Sequence, residues 1–481
     1  MEQREDLARR VTRRRLLATA LSATLGSLLA PATASLARAS AGDPAADLPL
    51  AAVMPLEAPL MAPRTFPAAS YGAVGDGRSN DAPAIQAALD AAAAAGGGRV
   101  ALAPGTFLIG ATLRVPSNVQ LVGAGSATVL SAADQLNTHV LRNADEDRGN
   151  AGVLLASFVV EGNKQRQTAL PDLDLQTLIR MRRLSNSRIQ GVWVRNGIAH
   201  GIGLATAAGV AVESCTAERC NGIGIACVAL AGTSSHDVRI RTNICRDNGL
   251  DGIIVDAGYS GDGTVHHITV QGNLCEGNDQ GITVEEGCLQ VSVLGNTCQN
   301  NRSDGIAVQK GQTDLPVRNS TVAGNTCRNN GNRGLYVERA SGCTFTNNTL
   351  VGNQAGVYAL NAAGCAFLSN TASRNAGYGI ALNQSANCTV GGNTCTNNGQ
   401  VQSGTSQDGI RIEGSSPAPT GNQVSGNLCT DDQPRKTQQY GIHLSEQADY
   451  TLIADNDLRG NAVAGLLLVG SHNVVQNNLG A

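Results

Sequence analysis

The chain has 481 residues, 35 Lys and Arg against 38 Asp and Glu, and is 42% apolar but only 3% aromatic, with 57 Gly. A formal charge of −3 offers no cationic surface for nucleic acid. In a globular domain so much Gly beside so few rings would indicate disorder; in a repeat array it marks corners around a core of small aliphatics.

Residues 1–39 have the composition of a targeting segment: a basic start, the run Thr12-Arg13-Arg14-Arg15-Leu16-Leu17, a mildly apolar stretch over 16–30, and Ala37-Arg38-Ala39 as a cleavage site. The segment resembles a bacterial twin-arginine signal, with Leu16 in place of Phe and Ala18 in place of Lys. That resemblance implies the Tat export machinery as a partner and a periplasmic or secreted destination. The apolar run is too short and too rich in Ala, Ser and Thr to stay in a bilayer, so no integral membrane segment is expected after its removal. Losing its seven Arg and three acids leaves 28 basic against 35 acidic residues, a balance of −7 that again excludes nucleic acid. Residues 40–65, rich in Pro and Ala, are expected to form a linker.

Residues 66–130 change character. Asn80-Asp81 starts a helix with Pro83 in its first turn, Ile85, Ala88 and Leu89 at helical spacing, and a stop at Gly96-Gly97-Gly98. Its apolar face needs a surface to cover, and the open end of a solenoid is one, so it is expected to cap the array. The first strands follow at 99–102, 107–109 and 119–122.

From 131 to 481 one phrase recurs: GNLCEGN at 272–278, GNTCQNN at 295–301, GNTCRNN at 324–330 and GNTCTNN at 392–398. Aligning on Asn gives Asn243, Asn273, Asn296, Asn325, Asn348, Asn370, Asn393, Asn427, Asn456 and Asn477, with steps of 21 to 23 residues wherever no insertion intervenes. Such a rung has room for short period-two strands and tight corners but not for a helix, which excludes the helical repeat families. Two residues after the Asn, Cys245, Cys275, Cys298 and Cys327 alternate with Leu350 and Ala372 in later rungs, which marks a dry inward column. The asparagines are expected to form a hydrogen-bonded ladder inside a turn. Thirteen cysteines are accordingly taken as core residues; Cys220 and Cys227 lie outside the main column and are the one pair singled out as a candidate disulfide.

The stretch 71–125, from YGAVGDGRSND to NVQLVGAG, resembles the N-terminal entry of the pectate-lyase-like superfamily, which includes polygalacturonases, pectate lyases, phage tailspike hydrolases and alginate epimerases. With its signal and its Gly-Asn-x-Cys rungs, the whole chain most closely resembles the TAT-translocated repetitive proteins. The resemblance implies an all-β fold, a right-handed parallel β-helix solenoid with an N-terminal capping α-helix, and a polysaccharide ligand. The superfamily's Asn-Thr-Asp, Gly-His-Gly and Asp-Pro-His catalytic strings are absent here.

If Ile253 and Val255 point inward, Ile254 and Asp256 point out. One outer column is then Ile254, Thr283, Ala307, Tyr336, Tyr358, Ala381, Arg411 and His443; its neighbour is Asp256, Glu285, Gln309, Glu338, Leu360, Asn383, Glu413 and Ser445. Carboxylates at two heights can divide acid and base work in glycoside cleavage, which makes Asp256, Glu285, Glu338, Arg411 and Glu413 the candidate catalytic residues. Gln309, Tyr336, Tyr358, Asn383 and His443 are the candidate substrate-binding residues. Insertions at 257–266 and 310–319 would wall a first groove over Asp256, Glu285 and Gln309; those at 399–408, 414–421 and 431–439 would overhang a second, over Arg411, Glu413 and His443.

Asp251, Asp304 and Asp408 are taken as turn residues. His266 and His267, as neighbours on a strand, are expected to face opposite ways and share no ion. No cofactor is required, and calcium bridging carboxylates to an acidic sugar is the one ion left open. The sequence thus indicates an exported β-helix that binds, and cleaves or modifies, an envelope or extracellular polysaccharide; the rival is a non-catalytic scaffold or adhesion solenoid. The end at Asn477-Asn478-Leu479 shows no capping helix, and a partner or a second copy of the chain, a homo-oligomer, is expected to cover that edge.

Overall fold

The computed structural model describes residues 64–481 apart from 259–261 and 402–406. The targeting segment, the export route inferred from it and nearly all of the expected linker lie outside the described residues. Short strands separated by left-handed corner residues stack into three parallel sheets of 19, 13 and 14 strands among those described. Most rungs contribute a strand to each of the three sheets in turn, which makes the molecule the expected parallel β-helix.

The corners explain the Gly-Asn phrase. Gly272, Gly295, Gly324 and Gly392 take φ of 60–65° immediately before the ladder asparagines, a conformation that costs a residue with a Cβ and costs glycine little. Each following Asn then closes a circuit with the next rung. Asn296 donates its backbone N–H and its Nδ2 to Asn325 Oδ1 at 2.8 and 3.0 Å, and its Nδ2 also to Val270 O at 2.9 Å. The ladder runs from Asn243 to Asn456 and ends on Asn478, one residue beyond the expected Asn477. Asn477 instead takes the left-handed corner, with φ 55°. A second ladder, from Asn248 through Asn278, Asn301, Asn330, Asn353 and Asn375 to Asn398, turns the next corner.

Between these ladders the inward columns are dry. Cys245, Cys275, Cys298 and Cys327 pair in register and are fully buried. Phe345 stacks on Phe367 with centroids 5.0 Å apart. All thirteen cysteines are free thiols, Cys220 and Cys227 included, so the one candidate disulfide is not formed. Burial pushes both of those thiols up to about 12.

The helix α1, Ala82–Ala94, buries Ile85, Ala88, Leu89 and Ala92 in the same core. Asn80 Oδ1 accepts from the N–H groups of Ala82 and Gly110, and Asp81 turns its carboxylate back onto the N–H groups of Val74 and Gly75. The strands Thr65–Pro67 and Asp76–Asn80, which no sequence signal announced, pair with Gly98–Ala101 and Gly105–Ile109. No described helix is long and apolar enough to cross a membrane. In the last rungs Val463, Val469, Val474 and Leu479 are exposed.

Candidate functional site

The third sheet carries both outer columns in the expected register. Ile254 lies beside Thr283, Ala307, Tyr336, Tyr358, Ala381, Arg411 and His443 in successive rungs. Asp256, Glu285 and Gln309 are consecutive partners, Glu338 pairs onward with Leu360 and Asn383, and Asn383 with Glu413. Because Ile253 and Val255 belong to the main core, alternation along the strand turns Ile254 and Asp256 outward. The four acids therefore share one face, over six rungs or about 29 Å.

These columns are not the open surface the alternation suggested. Asp256 is 3% exposed, Glu285 8%, Gln309 5% and Glu338 6%, and Thr283 and Ala307 are fully covered. Two sets of contacts tie down the neighbouring corner and insertion. Corner carboxylates fold back across the sheet: Thr283 donates Oγ1–H toward Asp251 Oδ1 at 2.9 Å, and Arg333 donates its backbone N–H to Asp304. The 310–319 insertion is pinned by Glu286, whose carboxylate accepts from the N–H and hydroxyl of Thr313. On the floor beneath, Gln309 Nε2 donates to Glu285 Oε2 at 2.9 Å, and Asp256 Oδ1 accepts from Gly258 N–H at 2.8 Å.

The tyrosines present edges rather than faces. Tyr336 stacks on Tyr358 at 6.2 Å and Tyr358 on Tyr378 at 6.0 Å, with the Arg333 guanidinium 4.5 Å from the Tyr336 ring centroid and 5.1 Å from that of Tyr358. Tyr336 is only 3% exposed. A sugar ring cannot stack on it, so Tyr336 is not placed to bind substrate through its ring face. Burial raises the Tyr358 and Tyr378 hydroxyls above their ordinary range, so both remain protonated donors.

At the second groove Arg411, Glu413 and His443 do meet, around a residue assigned only to a turn. Arg411 Nε donates to Glu413 at 2.6 Å, and its Nη1 to Asp408 Oδ2 at 3.0 Å and to His443 Nδ1 at 2.8 Å. Asp408 is 1% exposed, and its Oδ1 has no hydrogen-bond partner among the described residues. Asn383 joins through Glu413 at 3.4 Å. The signal for Asp408 was present in the Asp-Gly that recurs at Asp251, Asp304 and Asp408 before third-sheet strands, but a turn explains that pair as well.

His266 and His267 overturn a further expectation. His267 has φ 55°, which swings its ring to the side of its neighbour and brings the two Nδ1 atoms to 2.9 Å, while His236 stacks on His266 at 5.3 Å. Even so, among the described residues no group of three or more His, Cys, Asp or Glu is arranged to hold a metal.

Residues 184–363 and 313–465 match the family described as Periplasmic copper-binding protein (NosD), and residues 66–165 match Rhamnogalacturonase A/epimerase, pectate lyase-like. Mannuronan C5-epimerase AlgE3 of Azotobacter vinelandii is 30% identical over 268 residues, 52% of this chain but only 12% of that protein. Among solved structures, the A-module of mannuronan C-5 epimerase AlgE6 from Azotobacter vinelandii superposes with a TM-score of 0.58 at 20% identity, covering 86% of this chain and 99% of that one. The pre-mature bacteriophage phi29 gene product 12 gives 0.64 at 17% identity, covering 86% and 56%. At those identities the two structures share the fold and nothing finer is drawn from them.

Proposed function

The chain belongs to the family described as Periplasmic copper-binding protein (NosD), whose two matches together cover more than half of it, and on that scaffold we propose an exported protein that binds and modifies a polysaccharide along the outer face of its third sheet. The observation that carries the proposal is the single face shared by Asp256, Glu285, Gln309 and Glu338. Mannuronan epimerases among the relatives support polysaccharide modification as the general activity. The ligand is an envelope or extracellular polysaccharide, and export follows the twin-arginine route. In this proposal residues 66–130 cap the solenoid, whose repeats fill 131–481.

Of the two grooves, the first is better suited to chemistry. Arg411 spends its donors on Glu413, Asp408 and His443, a closed set that ties rungs together. Asp256 and Glu285 stand one rung apart, about 4.8 Å along the axis, which suits a carboxylate pair that shares acid and base work at one sugar unit. Gln309 orients Glu285 from the next rung. Tyr358, Asn383 and His443 would contact the chain further along.

Copper, named in the family description, does not fit the residues present. The cysteines are buried core residues, and burial raises Cys215, Cys220, Cys227 and Cys388 away from the thiolate that binds metal. No step is assigned to copper. Calcium held by protein groups alone fits no better, since no cluster of three candidate ligands exists among the described residues.

One observation favours the rival, a non-catalytic scaffold or adhesion solenoid: the carboxylates on the floor are at most 8% exposed. An array of bacterial and plant polysaccharides, scored for retention and for released or altered product, separates the two. Retention with product supports the proposal; retention without product leaves the scaffold.

A further inference from the structure

The outer columns of the third sheet run further toward the N-terminus than their acidic part. The Ile254 column continues back through Ala226 and Gly203 to Arg180, Arg142 and Arg114. The Asp256 column continues through Val228 and Ala205 to Arg182. Ile179 and Met181 lie in the core, so Arg180 and Arg182 point outward.

Stacking arginines in adjacent rungs is unfavourable unless counter-charges are supplied. Some are. Arg142 Nη1 lies 2.9 Å from Glu146 Oε2, and Arg180 Nη2 lies 3.0 Å from Asp174 Oδ2. Arg180 Nη1 also donates to His139 Nε2 at 3.1 Å, while His139 Nδ1 lies 2.9 Å from Thr177 O. Burial, with the Arg180 charge, lowers His139 to about 4, so at neutral pH it adds no charge. Asp172 stands nearby with its carboxyl raised by burial.

The supply stops short of Arg182, whose side chain pairs with none of the described carboxylates. Among the described residues its Nε is buried without a hydrogen-bond partner, and so is that of Arg142, while Arg180 Nε, on a residue only 7% exposed, has only the Glu146 carboxylate at 3.7 Å. Buried charged donors left without acceptors are costly, and an incoming oxyanion removes that cost. Between this cluster and Asp256 lies a shelf of Ala205, Val228, Ala226 and Ile254, packed with Ile223. One face thus runs from cationic through apolar to acidic.

We propose that Arg142, Arg180 and Arg182 form an anion subsite that takes the carboxylate of an acidic sugar unit, three rungs or about 14 Å from Asp256. The proposal rests on the reading that this face holds a polysaccharide, and adds that the polysaccharide is a uronan bound with one polarity. A guanidinium fork matches a carboxylate bidentately. The acidic column repels a polyanion, so the Arg end anchors the chain and sets its direction.

The test measures retention of the full chain, of Arg182→Gln and of Arg182→Lys on immobilised polygalacturonate and on neutral dextran, with free galacturonate and inorganic sulfate as competitors. Expected are a loss of about tenfold or more in polygalacturonate affinity for Arg182→Gln and a smaller loss for Arg182→Lys. Melting temperature and any dextran retention should not change, and galacturonate should displace better than sulfate. Equal affinity of Arg182→Gln and the parent chain, or displacement by sulfate as good as by galacturonate, would overturn the subsite. If Arg182→Gln holds polygalacturonate as tightly as the parent chain does, the polysaccharide reading stands and the subsite alone falls. If the unaltered chain holds neither polymer, both fall.

Discussion

Gln309 reaches across one rung to Glu285, its Nε2 donating to Oε2 at 2.9 Å, while its own Oε1 is buried without a hydrogen-bond partner among the described residues. The amide therefore fixes one carboxylate oxygen of Glu285 from the next rung. Gln309→Leu removes the donor at similar volume. Turnover of whichever glycan the array identifies should fall about tenfold, with a shifted pH profile and little change in KM. A variant with an unchanged pH profile would mean that the amide only fills space.

The asparagine ladder makes a stability prediction. Asn325 Oδ1 accepts from the N–H and Nδ2 of Asn296, and its own Nδ2 donates to Val293 O and Asn348 Oδ1. Asn325→Ala strands several buried groups at once and should cost about 3 kcal/mol or more in urea unfolding. Asn477→Ala, at the corner beside the ladder, should cost well under half as much.

Thirteen free thiols make a chemical one. Burial holds Cys215, Cys220, Cys227 and Cys388 up at about 12, far from the thiolate form that reacts. Iodoacetamide should leave the native protein unlabelled and add thirteen groups after denaturation without reductant. Eleven would reveal a disulfide.

Two buried histidines set an acid limit. His139 and His200 are 3% and 6% exposed, and burial lowers each from an ordinary 6.5 to about 4. His200 Nδ1 accepts the N–H of Ile223, a bond that requires the neutral ring. Between pH 6.5 and 4 the unfolded chain binds protons that the native one refuses. Stability is therefore at its full value above pH 6.5 and falls as pH drops through that window, by on the order of 3 kcal/mol per imidazole. Denaturant midpoints at pH 7.5 and 4.5 measure the loss, and His200→Gln should reduce the difference between them.

The register was legible because identical side chains must stack: Asn on Asn and Cys on Cys leave one alignment that satisfies every rung, and it placed Asp256 beside Glu285. It slipped only at Asn477-Asn478, where a doublet offers two alignments and the left-handed corner decides. Burial was not legible. Whether Glu285 faces water depends on Asp251 and Glu286, whose local sequence asks only for turns, and on where the 310–319 insertion lands. His267 defeated the strand rule through one positive φ. Arg180 and Arg182 were missed because the early rungs lack the Gly-Asn-x-Cys phrase that made the later columns visible.

The central claim is that a polysaccharide lies over Asp256 and Glu285. The most direct measurement compares affinity for a glycan retained in the array between the unaltered chain, Asp256→Asn with Glu285→Gln, and Arg411→Ala with Glu413→Ala, each verified folded by its melting curve. Loss of product formation in the first pair, with retention kept and product formation intact in the second, is the predicted result. Unchanged product formation in the first pair, or its loss only in the second, would contradict it.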